Sequence, residues 1–150
     1  MNLIRQDTDY ALRLITLLAS NKEKTSLPTK FLAEQGQVPY VFACKILQRL
    51  HEAGLIESVM GPKGGYYLGK ETKDIALLDV IAAVQGPVSI NMCAGNKETC
   101  ERKNDCPITN KLGQLQEHIE KFLGNLSLED ILKTGIRNHR IEKARGLQKD

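Results

Sequence analysis

The stretch "LPTKFLAEQGQVPYVFACKILQRLHEAGLIESVMGPKGGYYLG", residues 27–69, decides the fold. "LPTKFLAEQG" reads as a short helix, with Pro28 suited to its first turn and Gly36 to its end. After the turn "GQV", "PYVFACKILQRLHEAG" reads as a longer helix with Val41, Ile46, Leu47 and Leu50 as its buried stripe and Gly54 as its stop. A short helix, a tight turn and a longer helix make a helix-turn-helix. Then come β-prone residues 55–60, the Gly/Pro turn "GPKGG" and β-prone "YYL", which together predict a hairpin. The expected fold is mainly α with a small β-hairpin wing: a winged helix-turn-helix domain plus a long dimerisation helix.

Working outward, "DTDYALRLITLLAS" carries Tyr10, Leu14, Leu17 and Leu18 at helical spacing, with Asp7 placed to cap its start. "KDIALLDVIAAVQG" predicts another amphipathic helix, closed by Gly86-Pro87. Ile108, Leu112, Leu115, Ile119, Phe122 and Leu126 step by four and three residues in alternation, an a/d heptad stripe. It follows a complete winged helix, so pairing with a second subunit is expected. "SLEDIL" reads as a capped final turn. The organisation is therefore residues 1–86 as the winged helix-turn-helix, 87–107 as a cysteine-bearing loop, 108–132 as the dimerisation helix and final turn, and 133–150 as a basic, mobile tail.

The chain has 150 residues, one ordinary domain or a small domain with an appendage. Its net charge of +3 divides into +2 over residues 1–72, −3 over 73–132 and +4 over 133–150. A basic front and tail are compatible with nucleic acid but do not demand it. The chain has no apolar run long enough to span a membrane and no signal pattern at its start, so a cytoplasmic protein is expected. There is no phosphate loop, nucleophile elbow or HExxH, so no enzyme is expected.

Recognition helices read base edges from their first turns and need flanking positive charge for phosphates. The candidates are Tyr40, Cys44, Lys45, Gln48 and Arg49 on the second helix. Thr29 and Lys30 open the first helix, and Lys63, Gly64 and Gly65 form the hairpin tip.

Three of the four cysteines fall in "CAGNKETCERKNDCP", residues 93–107. Four cysteines in a chain of this kind argue for metal or redox chemistry rather than a disulfide framework. Thiolates suit iron–sulfur clusters, zinc and copper(I). Six and five residues intervene between Cys93, Cys100 and Cys106, wider than a zinc knuckle and suited to a loop around a larger object. Lys97, Arg102 and Lys103 offset negative charge there. Reduced thiols or a thiol/disulfide switch are the alternative. His51, His118 and His139 read as surface residues, and Asp7 and Asp9 as first-turn acids.

"TDYALRLITLLA", "ILQRLHEAG", "LIESVMGPKGGYYLGK" and the three-cysteine segment together resemble the IscR/NsrR/RirA family of bacterial winged-helix regulators, over residues 1–132. The resemblance implies a homodimer bound to double-stranded DNA at an operator with two-fold symmetry. It also implies a repressor whose affinity is set by an iron–sulfur cluster, [4Fe-4S] or [2Fe-2S], sensing iron, redox state or nitric oxide. In one branch of the family a carboxylate from the opposite subunit completes the cluster site. The matching residue is Asp9, with Asp7 the weaker candidate. Two departures stand out. Many members carry Arg immediately before the wing Gly-Pro, where this chain has Met60, leaving Lys63 as a partial substitute. Members with a histidine ligand place it three residues after the last cysteine, where this chain has Thr109. Two other functions remain: a cluster-free regulator with a thiol/disulfide switch, and a protein-binding winged-helix module working with cysteine-biosynthesis or cluster-assembly enzymes.

Overall fold

The structure, a computed structural model, describes residues 2–91, 101–102 and 104–134. Helix α1 (Gln6–Ser20) turns Thr8, Ala11, Leu14, Ile15 and Leu18 inward, the three-and-four spacing of one helical face. Its N-cap is Arg5, not Asp7; the Asp7 carboxylate instead accepts from the backbone N–H of Thr8 at 2.9 Å. Helix α2 (Thr29–Gly36) starts after Pro28 and is closed by Gln37, whose left-handed φ of 52° lets its N–H reach the Ala33 and Glu34 carbonyls. Gly36 is the last residue of α2, at the end expected for it, and Gln37 supplies the left-handed cap. A Cβ on Gly36 would come within 3.2 Å of Leu14 Cδ2, so the glycine allows α1 and α2 to approach.

Helix α3 (Tyr40–Glu52) buries Ala43, Ile46, Leu47 and Leu50 and ends before Gly54 at φ 74°. Val41, expected in the buried stripe, is exposed; Ala43 takes that place. Strands β1 (Ile56–Val59) and β2 (Gly65–Leu68) pair antiparallel, with Ile56 opposite Leu68 and Val59 opposite Gly65. A 3-10 turn, Thr72–Asp74, precedes α4 (Leu77–Gln85), so the expected helix over 73–86 is shorter at its start. Helix α5 (Pro107–Asn125) and helix α6 (Leu128–Lys133) follow. Ser127 accepts from the Asp130 N–H and closes a capping box.

One core joins α1, α2, α3, α4, the wing and Leu128. Fully buried Leu14, Leu47 and Leu50 each contribute about 1.5–3 kcal/mol relative to exposure. A second, smaller cluster of Ile81, Val88 and Leu123 seats α5 on α4. The heptad stripe divides between two surroundings. Leu112, Ile119 and Leu126 are half-buried, whereas Ile108, Leu115 and Phe122, each seven residues apart, are exposed. The winged helix and a long following helix are as expected. Among the described residues, no helix is long and apolar enough to cross a membrane.

Candidate nucleic-acid interface and thiolate ligands

With 100° between successive residues, the buried face of α3 fixes which side chains point away from the core. The opposite stripe is Val41, Lys45, Gln48 and Glu52, all exposed. Gln48 donates its amide to Glu52 Oε1 at 3.2 Å. The two flanks are partnered. On one, Tyr40 and Cys44 interact one turn apart, and the hydrogen bond to Cys44, then the charge of its thiolate, raises the Tyr40 pKa above its usual value. On the other, Phe42 packs on Tyr10 with ring centroids 6.2 Å apart. Arg49 shares that flank. Its Nη1 donates to the Val84 carbonyl at 3.1 Å and lies 3.5 Å from Asp7 Oδ2, so the guanidinium expected to read DNA braces α1 and α4 against α3.

The wing is tied to the start of α2. Leu27 and Tyr66 exchange backbone hydrogen bonds of 2.8 and 2.9 Å, and Ser26 Oγ donates to the Lys63 carbonyl at 3.1 Å. Gly65 lies so close to the Leu27–Pro28 backbone that a Cβ would collide, and Gly64 is equally tight against the Val59 and Gly61 carbonyls. Both glycines thus have a packing reason in addition to the expected DNA contact. Thr29 and Lys30 sit in the first turn of α2. Lys30 lines a depression of about 350 Å³ with Ala33, Glu34, Val38 and Tyr40. The wing is thus tied to the segment that opens α2, and Lys30 of α2 and Tyr40 of α3 share one depression. Met60, at 92% exposure, stands at the hairpin tip.

Of the three-cysteine segment, Cys93 and Cys100, with Lys97 and Lys103, lie outside the described residues, as does His139. Cys106 is the N-cap of α5 and half-buried. Its sulfur forms no full capping bond, yet the groups around it favour the thiolate. The Thr109 hydroxyl, then the N–H groups of Thr109 and Ile108, and last the Arg102 charge outweigh burial and hold the thiol below its ordinary pKa. Thr109 thus supports the sulfur from three residues further along the chain, in the first turn of α5. Asp9 is half-exposed and pairs with Arg13 Nη2 at 2.7 Å. Asp7 is engaged by Arg5 and Arg49. His51 places Nδ1 3.0 Å from the Ile56 carbonyl, beneath the wing, and His118 is exposed on α5. Among the described residues, no three His, Cys, Asp or Glu side chains gather as a metal site.

Sequence reasoning missed Gln116. It is 6% exposed, donates to the Val88 carbonyl at 2.6 Å and to Glu120 at 2.7 Å, and accepts from the Ile90 N–H at 3.0 Å. It fastens the residues leading into the cysteine segment to α5. A companion node lies at the last residue of α4, where Gln85 accepts from Thr8 Oγ1 at 2.7 Å and from the Arg5 N–H at 3.1 Å.

Residues 4–134 match the Rrf2 family, described as an iron-dependent transcriptional regulator. The chain belongs to the Rrf2 family. It is 34% identical over 125 residues to the HTH-type transcriptional regulator IscR of Xenorhabdus nematophila, covering 83% of this chain and 75% of that one. It is similar in structure to CymR of B. subtilis, the global cysteine regulator, with a TM-score of 0.75, 25% identity, and 89% and 98% of the two chains covered. IscR of T. potens shares the fold at a TM-score of 0.70 and 23% identity, over 91% of this chain and 90% of that one. As an Rrf2 protein with IscR relatives, the chain is a winged-helix transcriptional regulator.

Proposed function

We propose that this Rrf2 protein is a cytoplasmic repressor that binds a two-fold symmetric DNA operator as a homodimer, with its affinity set by an iron–sulfur cluster. Cys93, Cys100 and Cys106 would hold the cluster, [4Fe-4S] or [2Fe-2S], with Asp9 of the partner subunit as fourth ligand. The observation that carries this reading is Cys106 at the head of α5. It is a thiol favoured as thiolate, on the helix that also presents the exposed Ile108, Leu115 and Phe122 stripe. A soft donor set of three thiolates fits such a cluster. When bound, the cluster supplies an iron- and redox-labile link, sensitive also to nitric oxide, between the cysteine segment of one subunit and α1 of the other.

The protein's own residues account for the rest. Asp9 is held by an exposed ion pair with Arg13, a type worth about 0–1 kcal/mol, so its carboxylate can be released at little cost. The opposite face of α1 packs on α3 through the shared core, so a restraint on Asp9 acts on the recognition helix. Gln116 and the Ile81–Val88–Leu123 cluster fasten α5 to the winged helix. Because half-site spacing on DNA is fixed, a small rotation of the two α3 helices changes affinity. Tyr40, Cys44, Lys45 and Gln48 face the bases, while Thr29, Lys30, Lys63, Gly64 and Gly65 track the backbone. Arg49 sets the angle of α3 rather than reading DNA itself.

The CymR likeness favours a second reading, in which the cysteines form a thiol/disulfide switch without a cluster. Absorption spectra of protein purified without oxygen separate the two. Visible bands that disappear on replacing Cys93, Cys100 or Cys106 by Ala, and shift on replacing Asp9, support the cluster. A colourless protein whose operator affinity responds to a thiol oxidant overturns it in favour of the switch.

A further inference from the structure

Val41 occupies the first turn of α3 and is 64% exposed, more than either neighbour. It belongs to neither hydrophobic core, whereas Phe42 beside it packs on Tyr10. The fold gains nothing from an outward valine. Exposed apolar surface stays in water, and a β-branched residue is a poorer helix former than the Lys or Gln further along the same stripe. Its stripe is the one opposite the core, and Lys45 and Gln48 follow it one and two turns on.

Major-groove base edges present hydrogen-bonding atoms and one apolar group, the 5-methyl of thymine. The first turn of a recognition helix is the part that reaches those edges. A valine in a helix holds one χ1 rotamer, so its two methyls are positioned before contact and little side-chain freedom is lost on binding. We infer that Val41 is a specificity residue of the DNA-reading face, recognising the methyl group of one thymine in each operator half-site. Lys45 and Gln48 then meet polar edges further along the same helix face. This inference rests on the DNA-binding reading above.

The test starts by selecting bound sites from a random-sequence duplex pool with the full chain at fixed salt. Deoxyuridine, which lacks only the methyl group, then replaces thymine one position at a time. Wild-type protein loses about fourfold in affinity at one symmetry-related pair of thymines, the scale of one buried methyl group. Val41→Ala and Val41→Ser, both at an exposed position, keep their melting temperature and bind the thymine and deoxyuridine duplexes equally. Deoxyuridine sensitivity that persists unchanged in Val41→Ala, or that no position shows in wild type, overturns the inference while leaving DNA binding intact. A pool from which wild-type protein enriches nothing overturns both readings.

Discussion

Gln116 donates its side-chain amide to the Val88 carbonyl at 2.6 Å from a buried position on α5. With the Ile90 N–H on its side-chain oxygen, one residue satisfies two backbone groups of the segment that leads to Cys93. Gln116→Leu removes both hydrogen bonds and leaves those groups desolvated. We expect a loss of about 1–3 kcal/mol, read as a fall in Tm of about 2–4 °C per kcal/mol. An unchanged Tm would mean that the segment is not held from α5.

Arg49 and Lys45 lie one turn apart on α3 but face different surroundings. Arg49 reaches Val84 and Asp7, and Lys45 points to solvent. Arg49→Ala is expected to cost about 1 kcal/mol of stability, a modest value because the Asp7 pair is half-exposed and screened. Lys45→Ala should leave Tm unchanged and lower operator affinity, with a shallower salt dependence if the lost contact is to phosphate. Thermal melts and salt titrations of binding on both variants distinguish bracing from reading.

The exposed residues Ile108, Leu115 and Phe122 recur every seventh position, so one substitution interrupts the stripe without touching the core. Leu115→Glu is expected to place a charge in the subunit contact and convert the dimer to monomer, with helix content retained. Light scattering reads the mass directly. A dimer that persists in Leu115→Glu places the contact elsewhere.

Cys106 has its folded-state pKa lowered, chiefly by the Thr109 hydroxyl. A lowered pKa means more thiolate at a given pH, so alkylation of Cys106 should set in at a lower pH than for a free thiol. Thr109→Val removes the leading cause and moves that onset upward. The rate of iodoacetamide reaction against pH checks this in protein with Cys44, Cys93 and Cys100 replaced by Ser.

Much of the fold was legible because it rests on local spacing. The Leu14 and Leu18 pattern, the "GPKGG" turn and the heptad positions announce α1, the wing and α5 from sequence alone. Val41 was misplaced because an apolar side chain in a helix reads as core, whereas the phase set by Ala43, Ile46, Leu47 and Leu50 turns it outward. Ala43 is too small to announce itself, yet it is fully buried. Arg49 and Gln116 escaped for another reason. Their partners, Asp7 and Val84 for one and Val88 and Ile90 for the other, are 26 or more residues away in sequence, beyond any local pattern. Thr109 was visible only as the absence of a histidine; its support of the Cys106 thiolate needed the turn of α5 to bring them together.

The central claim is that cluster occupancy sets operator affinity. The most direct measurement is the dissociation constant of one selected operator duplex, at one salt concentration without oxygen, for reconstituted protein and for the same protein after chelation. The account predicts a difference on the order of 5- to 150-fold, the usual span of coupling between two sites, that disappears when Cys106 is replaced by Ala. Equal affinities for the two forms, with the cluster confirmed in one and absent from the other, would contradict it.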